Sequence, residues 1–358
     1  MKIKTITCHD VYNHGASLQA YALMKFLQNN GHEVEIIDYK PDYLSHHYDL
    51  FHVSNDRYKG LIKYAYLLAK LPSRLLSRKR KKSFDDFTKK YLKLTDTRYK
   101  SFEALCENTP EADLFICGSD QIWNTLHNNG KDKAFYLNFV KTEDKKISYA
   151  ASLATDRIYD NMESFIEENL RTFDSIAVRE RSGIQLLSKI GIENVTHVMD
   201  PAFLLDQEEW SKIGSISFNE PYILVYDFEN CERLREKALF LAKNLGAKIY
   251  TVNPISLKYA DRSFPNVGPE TFVSLIKGSE VVMSNSFHAL VFALIFDKKF
   301  LITKRGEDIN SRMEDLMSLL GIEEKLFNED MGSLNEEARS KLNKEIESSK
   351  KYLTRILG

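Results

Sequence analysis

Short apolar runs alternate with amphipathic stretches through the first half of the chain. Ile3–Thr7 reads as a strand, and Leu18–Leu27 as a helix closed by Asn30-Gly31. Val34–Tyr39 reads as a second strand. A strand, a helix and a strand within about forty residues make a βαβ unit, which fixes a right-handed crossover and a parallel sheet. Further strands are expected at Leu114–Cys117, Lys146–Ala150, Ser175–Val178 and Thr196–Met199. The pattern restarts after Pro221, with strands at Tyr222–Tyr226, Ala247–Val252, Glu280–Ser284 and Phe300–Thr303. Helices at Cys231–Gly246, Pro269–Gly278 and His288–Phe296 separate them.

The expectation is an α/β protein of two doubly wound, Rossmann-like domains. The first spans 1–205, with a basic helical insert near 57–95. A linker over 206–220 leads to the second domain at 221–335, and a charged C-terminal helix covers 336–358. Two such domains enclose a cleft, where ligands bind.

Composition adds limits. The 358 residues suffice for two cores, and 43% hydrophobic with 28% charged content is ordinary for a globular protein. A net charge of −1 gives no overall pull toward nucleic acid, which is not expected as a partner. Met1–Thr7 lacks the pattern of a secretory signal, and Cys8, Cys106, Cys117 and Cys231 are scattered, so a reducing cytoplasm is expected. No clustered Cys/His or acidic signature calls for a metal.

Charge is local instead. Leu61–Leu71 is apolar and is followed by Arg74, Arg78, Lys79, Arg80, Lys81 and Lys82. The run is shorter than the roughly 20 residues a bilayer span needs. It reads either as a solvated basic helix packed on the domain or as a helix lying on an anionic membrane surface.

Four stretches carry candidate chemistry. After the first strand, Asn13, Gly15 and Ser17 lead into a helix; Gly15 suits a tight turn, and the helix start can hold an anion, or Asn13 or Ser17 can simply cap it. It lacks G-x-G-x-x-G, so Asp38 makes a poor ribose-binding acid. Gly118–Asn124 closes a buried strand with Ser119, Asp120, Gln121, Trp123 and Asn124. Trp123 would stack on a sugar face while its neighbours bond hydroxyls; a core tryptophan is the other reading. Arg179 and Arg181 follow a strand and suit a carboxylate or phosphate, or a surface ion-pair group. Ser284–Leu290 ends a strand in a polar turn with Ser286 and His288, and Arg305 and Arg312 lie downstream.

Together, Asn13–Ala20, Gly118–Trp123, Ser148–Ser152, Val178–Glu180 and Ser286–Ala289 resemble the polysaccharide pyruvyl transferase family. The resemblance implies a GT-B-like pair of domains and transfer of a pyruvyl ketal from phosphoenolpyruvate, a donor substrate with no further cofactor. The acceptor would be a sugar of a polysaccharide or lipid-linked glycan precursor. His288 would shuttle the proton and Asp120 would serve as base. Arg179 and Arg312 would bind the donor, with Arg181 and Arg305 in reserve. The family's second-domain turn often reads Arg-Leu-His-Gly; here Ser286 stands in the arginine's place. Either Arg312 or Arg305 takes over the anion, or the donor differs. A nucleotide-sugar glycosyltransferase of the same architecture and a non-catalytic glycan-assembly protein are the competing readings. On this basis the protein is expected in the cytoplasm, with peripheral contact at the inner membrane face if the insert binds lipid.

Overall fold

The structure is a computed structural model that describes residues 1–44, 53, 60–306, 309–327 and 330–358. The first part runs β1 (Lys2–Ile6), α1 (His14–Asn29), β2 (Glu33–Tyr39), α2 (Leu61–Tyr91), β3 (Leu94–Tyr99), α3 (Phe102–Glu107), β4 (Leu114–Cys117) and β5 (Lys146–Ser148). Next come α4 (Glu163–Leu170), β6 (Ile176–Val178), α5 (Arg181–Lys189), β7 (Val195–His197) and α6 (Gln207–Ile213). The second part runs β8 (Tyr222–Tyr226), α7 (Glu232–Leu245), β9 (Lys248–Thr251), β10 (Arg262–Ser263), α8 (Pro269–Gly278), β11 (Val281–Ser284), α9 (Phe287–Ile295) and β12 (Lys299–Ile302). It closes with α10 (Ser311–Leu320), α11 (Glu323–Phe327) and α12 (Glu336–Leu357).

Two five-stranded parallel sheets form, ordered β3-β2-β1-β4-β5 and β10-β9-β8-β11-β12. The inner strands β4 and β8 are buried along their whole length, as a sheet covered by helices on both faces requires. In each sheet the chain leaves one strand in one direction and later returns on its other side. The reversals fall between β1 and β4, and between β8 and β11. Ligands of such sheets sit in the crevice at the carboxyl ends of those strands.

One hydrophobic core runs through both sheets' helical layers. Leu18, Leu23 and Leu27 of α1 share it with Phe272 of α8 and Phe292 of α9. Trp210 is central to it: fully buried, its indole N–H donates to the Ala202 carbonyl at 2.9 Å, and its ring stands edge-on to Phe292 at 4.8 Å. The stretch read as a linker, 206–220, therefore holds a packed helix, because a tryptophan in a charged segment is still the largest apolar surface to bury.

The basic insert differs from its sequence reading in a similar way. α2 is one long helix, but Arg80 is buried. Its guanidinium donates to the Tyr12 carbonyl at 3.1 Å and to the Pro265 carbonyl at 3.2 Å, and lies over the Phe84 ring. One charge of the run is thus a bridge between the first part of the chain and the second. α12 returns to the first sheet, where the Tyr352 hydroxyl donates to the Ser148 carbonyl and the Ser349 hydroxyl accepts from the Met199 amide at 2.8 Å.

Candidate functional site

The carboxyl ends of β1, β4, β8 and β11 converge on one cavity of about 140 Å³. Val11 and Asn13 come from the turn after β1, and Asp120 and Gln121 from the turn after β4. The second sheet supplies Phe228 after β8 and Asn285, Ser286, Phe287 and His288 after β11; Arg305, Ile309, Arg312 and Met313 close it.

His288 is buried in the first turn of α9. Its Nε2 lies 3.5 Å from Oδ2 of Asp200, a carboxylate contributed by the other part of the chain. The ring also abuts Gly15 so closely that a Cβ on residue 15 would fall inside the imidazole. Gly15 is therefore not the tight-turn residue expected: it lies within α1, and its missing side chain makes room for His288. Asn13 caps α1, its side-chain oxygen accepting from the Ala16 amide at 3.3 Å, while still lining the cavity.

The cations separate into layers. Arg312 lines the cavity, and its pKa is pushed down to about 10, first by burial and then by the charge of Arg179. With its amide oxygen turned toward Arg312, Gln121 accepts from both terminal nitrogens, at 3.2 and 2.9 Å. Arg179 lies behind Phe287, lining a smaller adjoining cavity, and donates to Asp200 at 2.8 Å. Both guanidiniums rest over the Phe287 ring, at 4.8 and 5.5 Å from its centre. Arg305 reaches the cavity from beyond β12, near Glu229 at 3.7 Å. Arg181 is well exposed and pairs with Glu345 at 3.6 Å; it lies outside the cavity, because it opens α5 and points to the surface.

Three acids set the balance. Burial alone would raise the Asp200 carboxyl, but the neighbouring His288 and then Arg179 outweigh it and hold the group well below the usual carboxylate range. Asp120 lines the cavity with its Oδ1 3.8 Å from Arg179, on a backbone turned into the left-handed region at φ 70°. Glu180 is buried, and burial raises its carboxyl; one oxygen accepts from the Ser152 hydroxyl and from the Leu153 and Ala154 amides.

The remaining residues of the Gly118–Asn124 run do structural work. Trp123 is fully buried, stacked on Tyr136 at 5.7 Å, with its N–H donating to the Phe135 carbonyl, so it offers no face to a sugar. Asn124 is also buried and accepts from the Leu126 amide; Ser119 is buried beneath the cavity, its carbonyl accepting from the Thr7 hydroxyl. Asp38 pairs with Arg98 at 2.8 Å and lies near His9. Sequence reasoning missed Asp200, Phe228 and Asn285. Each follows a strand, and Asp200 in Met199-Asp200-Pro201 was legible as an acid at a strand's carboxyl end.

Chemically, the cavity joins a buried cationic wall to a histidine backed by a carboxylate. The start of α9 has no side-chain cap, which leaves backbone N–H groups for an anion.

A family model described as polysaccharide pyruvyl transferase matches residues 13–304. Arg305 and Arg312 lie just beyond that match. No curated protein matches the chain. Among solved structures, UDP-GlcNAc 2-epimerase from Methanocaldococcus jannaschii is similar at 14% identity and TM-score 0.50, covering 100% of this chain and 99% of that one. A structure of the Methanocaldococcus jannaschii UDP-GlcNAc 2-epimerase in complex with UDP-GlcNAc and UDP aligns at 13% identity and TM-score 0.49, covering 100% and 99%. At such identity the likeness concerns the fold.

The Asp200 geometry yields a stability prediction. A carboxyl whose folded pKa lies below its unfolded value stabilises the fold above the ordinary value near about 4, and that contribution is lost as pH falls from there. Asp200→Asn leaves Arg179 buried without its carboxylate, so urea unfolding at neutral pH is expected to show a loss of about 3–5 kcal/mol. The difference between parent and variant should shrink as pH falls below the usual carboxylate range and vanish only below the depressed value of Asp200 itself. Equal stability at neutral pH would contradict the pairing.

Proposed function

Because the chain belongs to the polysaccharide pyruvyl transferase family, we propose that this cavity moves a pyruvyl group from phosphoenolpyruvate onto two hydroxyls of one sugar in a glycan precursor. The carrying observation is the buried, mutually repelling pair Arg179 and Arg312 beside His288. Arg179 is paired with Asp200, whereas Arg312, buried beside it, makes no ion pair among the described residues, which leaves its charge for an anion to neutralise. Phosphoenolpyruvate brings two anionic groups. Arg312, with Arg305 and the start of α9, takes the place of the arginine that Ser286 replaces.

The reaction balances within this set. Protonated His288 delivers a proton to the methylene carbon, which becomes a methyl group and leaves the adjacent carbon electron-poor. The first sugar hydroxyl forms a C–O bond there and gives its proton to Asp120. The bond from carbon to the phosphate oxygen breaks, and phosphate departs. The second hydroxyl closes the ketal. Of the two hydroxyl protons, one leaves on phosphate and the other restores the charge of His288. Arg312 faces the charge that builds on the departing phosphate, in a site with little water, where such an interaction counts most. Asp200 lies against the imidazole and holds it in place.

Replacing a proton donor costs about 10²–10⁴ in rate. His288→Ala is therefore expected to lose ketal formation to that extent, followed by phosphate release, with its circular dichroism spectrum unchanged. Full turnover by a folded variant contradicts the role.

α2 supports a location. Among the described residues no helix is long and apolar enough to cross a membrane. Yet from Leu61 to Phe84, α2 carries Lys and Arg at eight positions and no Asp or Glu, and it exposes Ile62 at 60%, Tyr64 at 65% and Leu68 at 71%. Apolar side chains beside exposed Arg78, Lys79 and Lys82 suit the headgroup layer of an anionic membrane, where a lipid-linked acceptor is found. Each such charge contributes about 1 kcal/mol near the surface. Replacing Arg78, Lys79 and Lys82 by Gln should weaken cosedimentation with phosphatidylglycerol-containing vesicles by about two orders of magnitude, with no effect on pure phosphatidylcholine. Unaltered binding to the anionic vesicles would rule the surface out.

A further inference from the structure

The cavity that holds the cations is small, about 140 Å³, and the proposed ketal needs a sugar beside the donor as well. A second cavity of about 810 Å³ opens at the carboxyl ends of β8 and β9, between the first turns of α7 and the segment 253–259. The two cavities share one lining residue, Phe228. Its placement is fixed. The Phe228 amide donates to the Asn285 side-chain oxygen at 2.9 Å, and Asn285 in turn donates to Asp227 at 2.8 Å. Arg305 lies over the ring at 5.1 Å, while 39% of Phe228 stays exposed. A half-open aromatic ring is thus held as a partition between the two spaces.

The larger cavity has a different chemistry from the smaller. Its acids Asp227 and Glu232 balance its cations Arg235 and Lys258, and Glu232 pairs with Arg235. It has no surplus positive charge to attract a second phosphate. Its apolar surface comes from Phe228, Leu257, Tyr259 and Ile255, the last 80% exposed at the rim. The volume falls in the usual range of ligand sites, roughly 300–1,000 Å³.

We propose that this cavity is the acceptor subsite, taking a neutral hexose unit of the glycan with the C–H face of its ring on Phe228. The inference rests on the pyruvyl-transfer reading of the smaller cavity. Phe228 then sets which sugar edge reaches the donor carbon, and the charge-balanced wall keeps phosphate out of the acceptor's place.

Saturation-transfer NMR with cellobiose, lactose and mannobiose as probes tests this, alongside the rise in melting temperature that phosphoenolpyruvate produces. Ser256 lines the larger cavity and not the smaller. Ser256→Trp should weaken binding of the responding disaccharide by about tenfold or more, while the phosphoenolpyruvate response is kept. Equal sugar binding by Ser256→Trp, or no saturation transfer from any of the three sugars to the parent protein, overturns the assignment. A parent protein that binds the sugar but shows no response to phosphoenolpyruvate counts against the donor reading alone.

Discussion

One buried carboxylate organises the site. Asp200 follows the last strand of the first part of the chain and touches Arg179 from the same part and His288 from the other. Both parts therefore meet on a single charge. Removing a carboxylate from between two such partners leaves a cation out of water, which costs more than the pair itself contributes. The same contact aligns the histidine with the cavity, and Gly15 lets it approach by having no side chain. The position of the histidine is set by one arrangement.

The charge pattern around that centre places a cation on the cavity wall although the chain as a whole is nearly neutral. Arg179 is answered by Asp200, whereas Arg312 makes no ion pair among the described residues: it donates to the Gln121 amide oxygen and feels the repulsion of Arg179 against the attraction of Asp120 and Glu180. The unanswered charge sits on the cavity wall, and the answered one sits behind it. On the proposed reading, Arg312 of α10, beyond the stretch that the family model matches, stands in for the turn arginine that Ser286 replaces. The bridge made by Arg80 from Tyr12 to Pro265 braces the same junction from α2.

How much of this was legible in the sequence depends on range. Tyr222–Tyr226 was readable to the residue because a fully buried parallel strand is a continuous apolar run between breakers. Pro269–Gly278 was equally clear, having proline at its first position and glycine at its last. β3 was missed because Leu94–Tyr99 exposes its central residues and reads as a polar loop. Where the partner is distant in sequence, local pattern misled. Trp123 looks like a binding residue until Tyr136 stacks on it, Arg80 looks solvated until two carbonyls cap it, and Gly15 looks like a turn until His288 arrives. His288 and Arg312 could be placed at strand or helix ends; Asp200, which binds the site together, carries no motif of its own.

The central claim is that the cationic wall beside His288 receives phosphoenolpyruvate. Its most direct measurement is the melting temperature of the protein with phosphoenolpyruvate, inorganic phosphate or UDP-GlcNAc, for the parent and for Arg312→Gln. A ligand bound only to the folded state adds about 2.7 kcal/mol of stability at a hundred times its dissociation constant. The account predicts a clear rise with phosphoenolpyruvate, a smaller one with phosphate, and loss of both in Arg312→Gln. A rise with UDP-GlcNAc and none with phosphoenolpyruvate would contradict it.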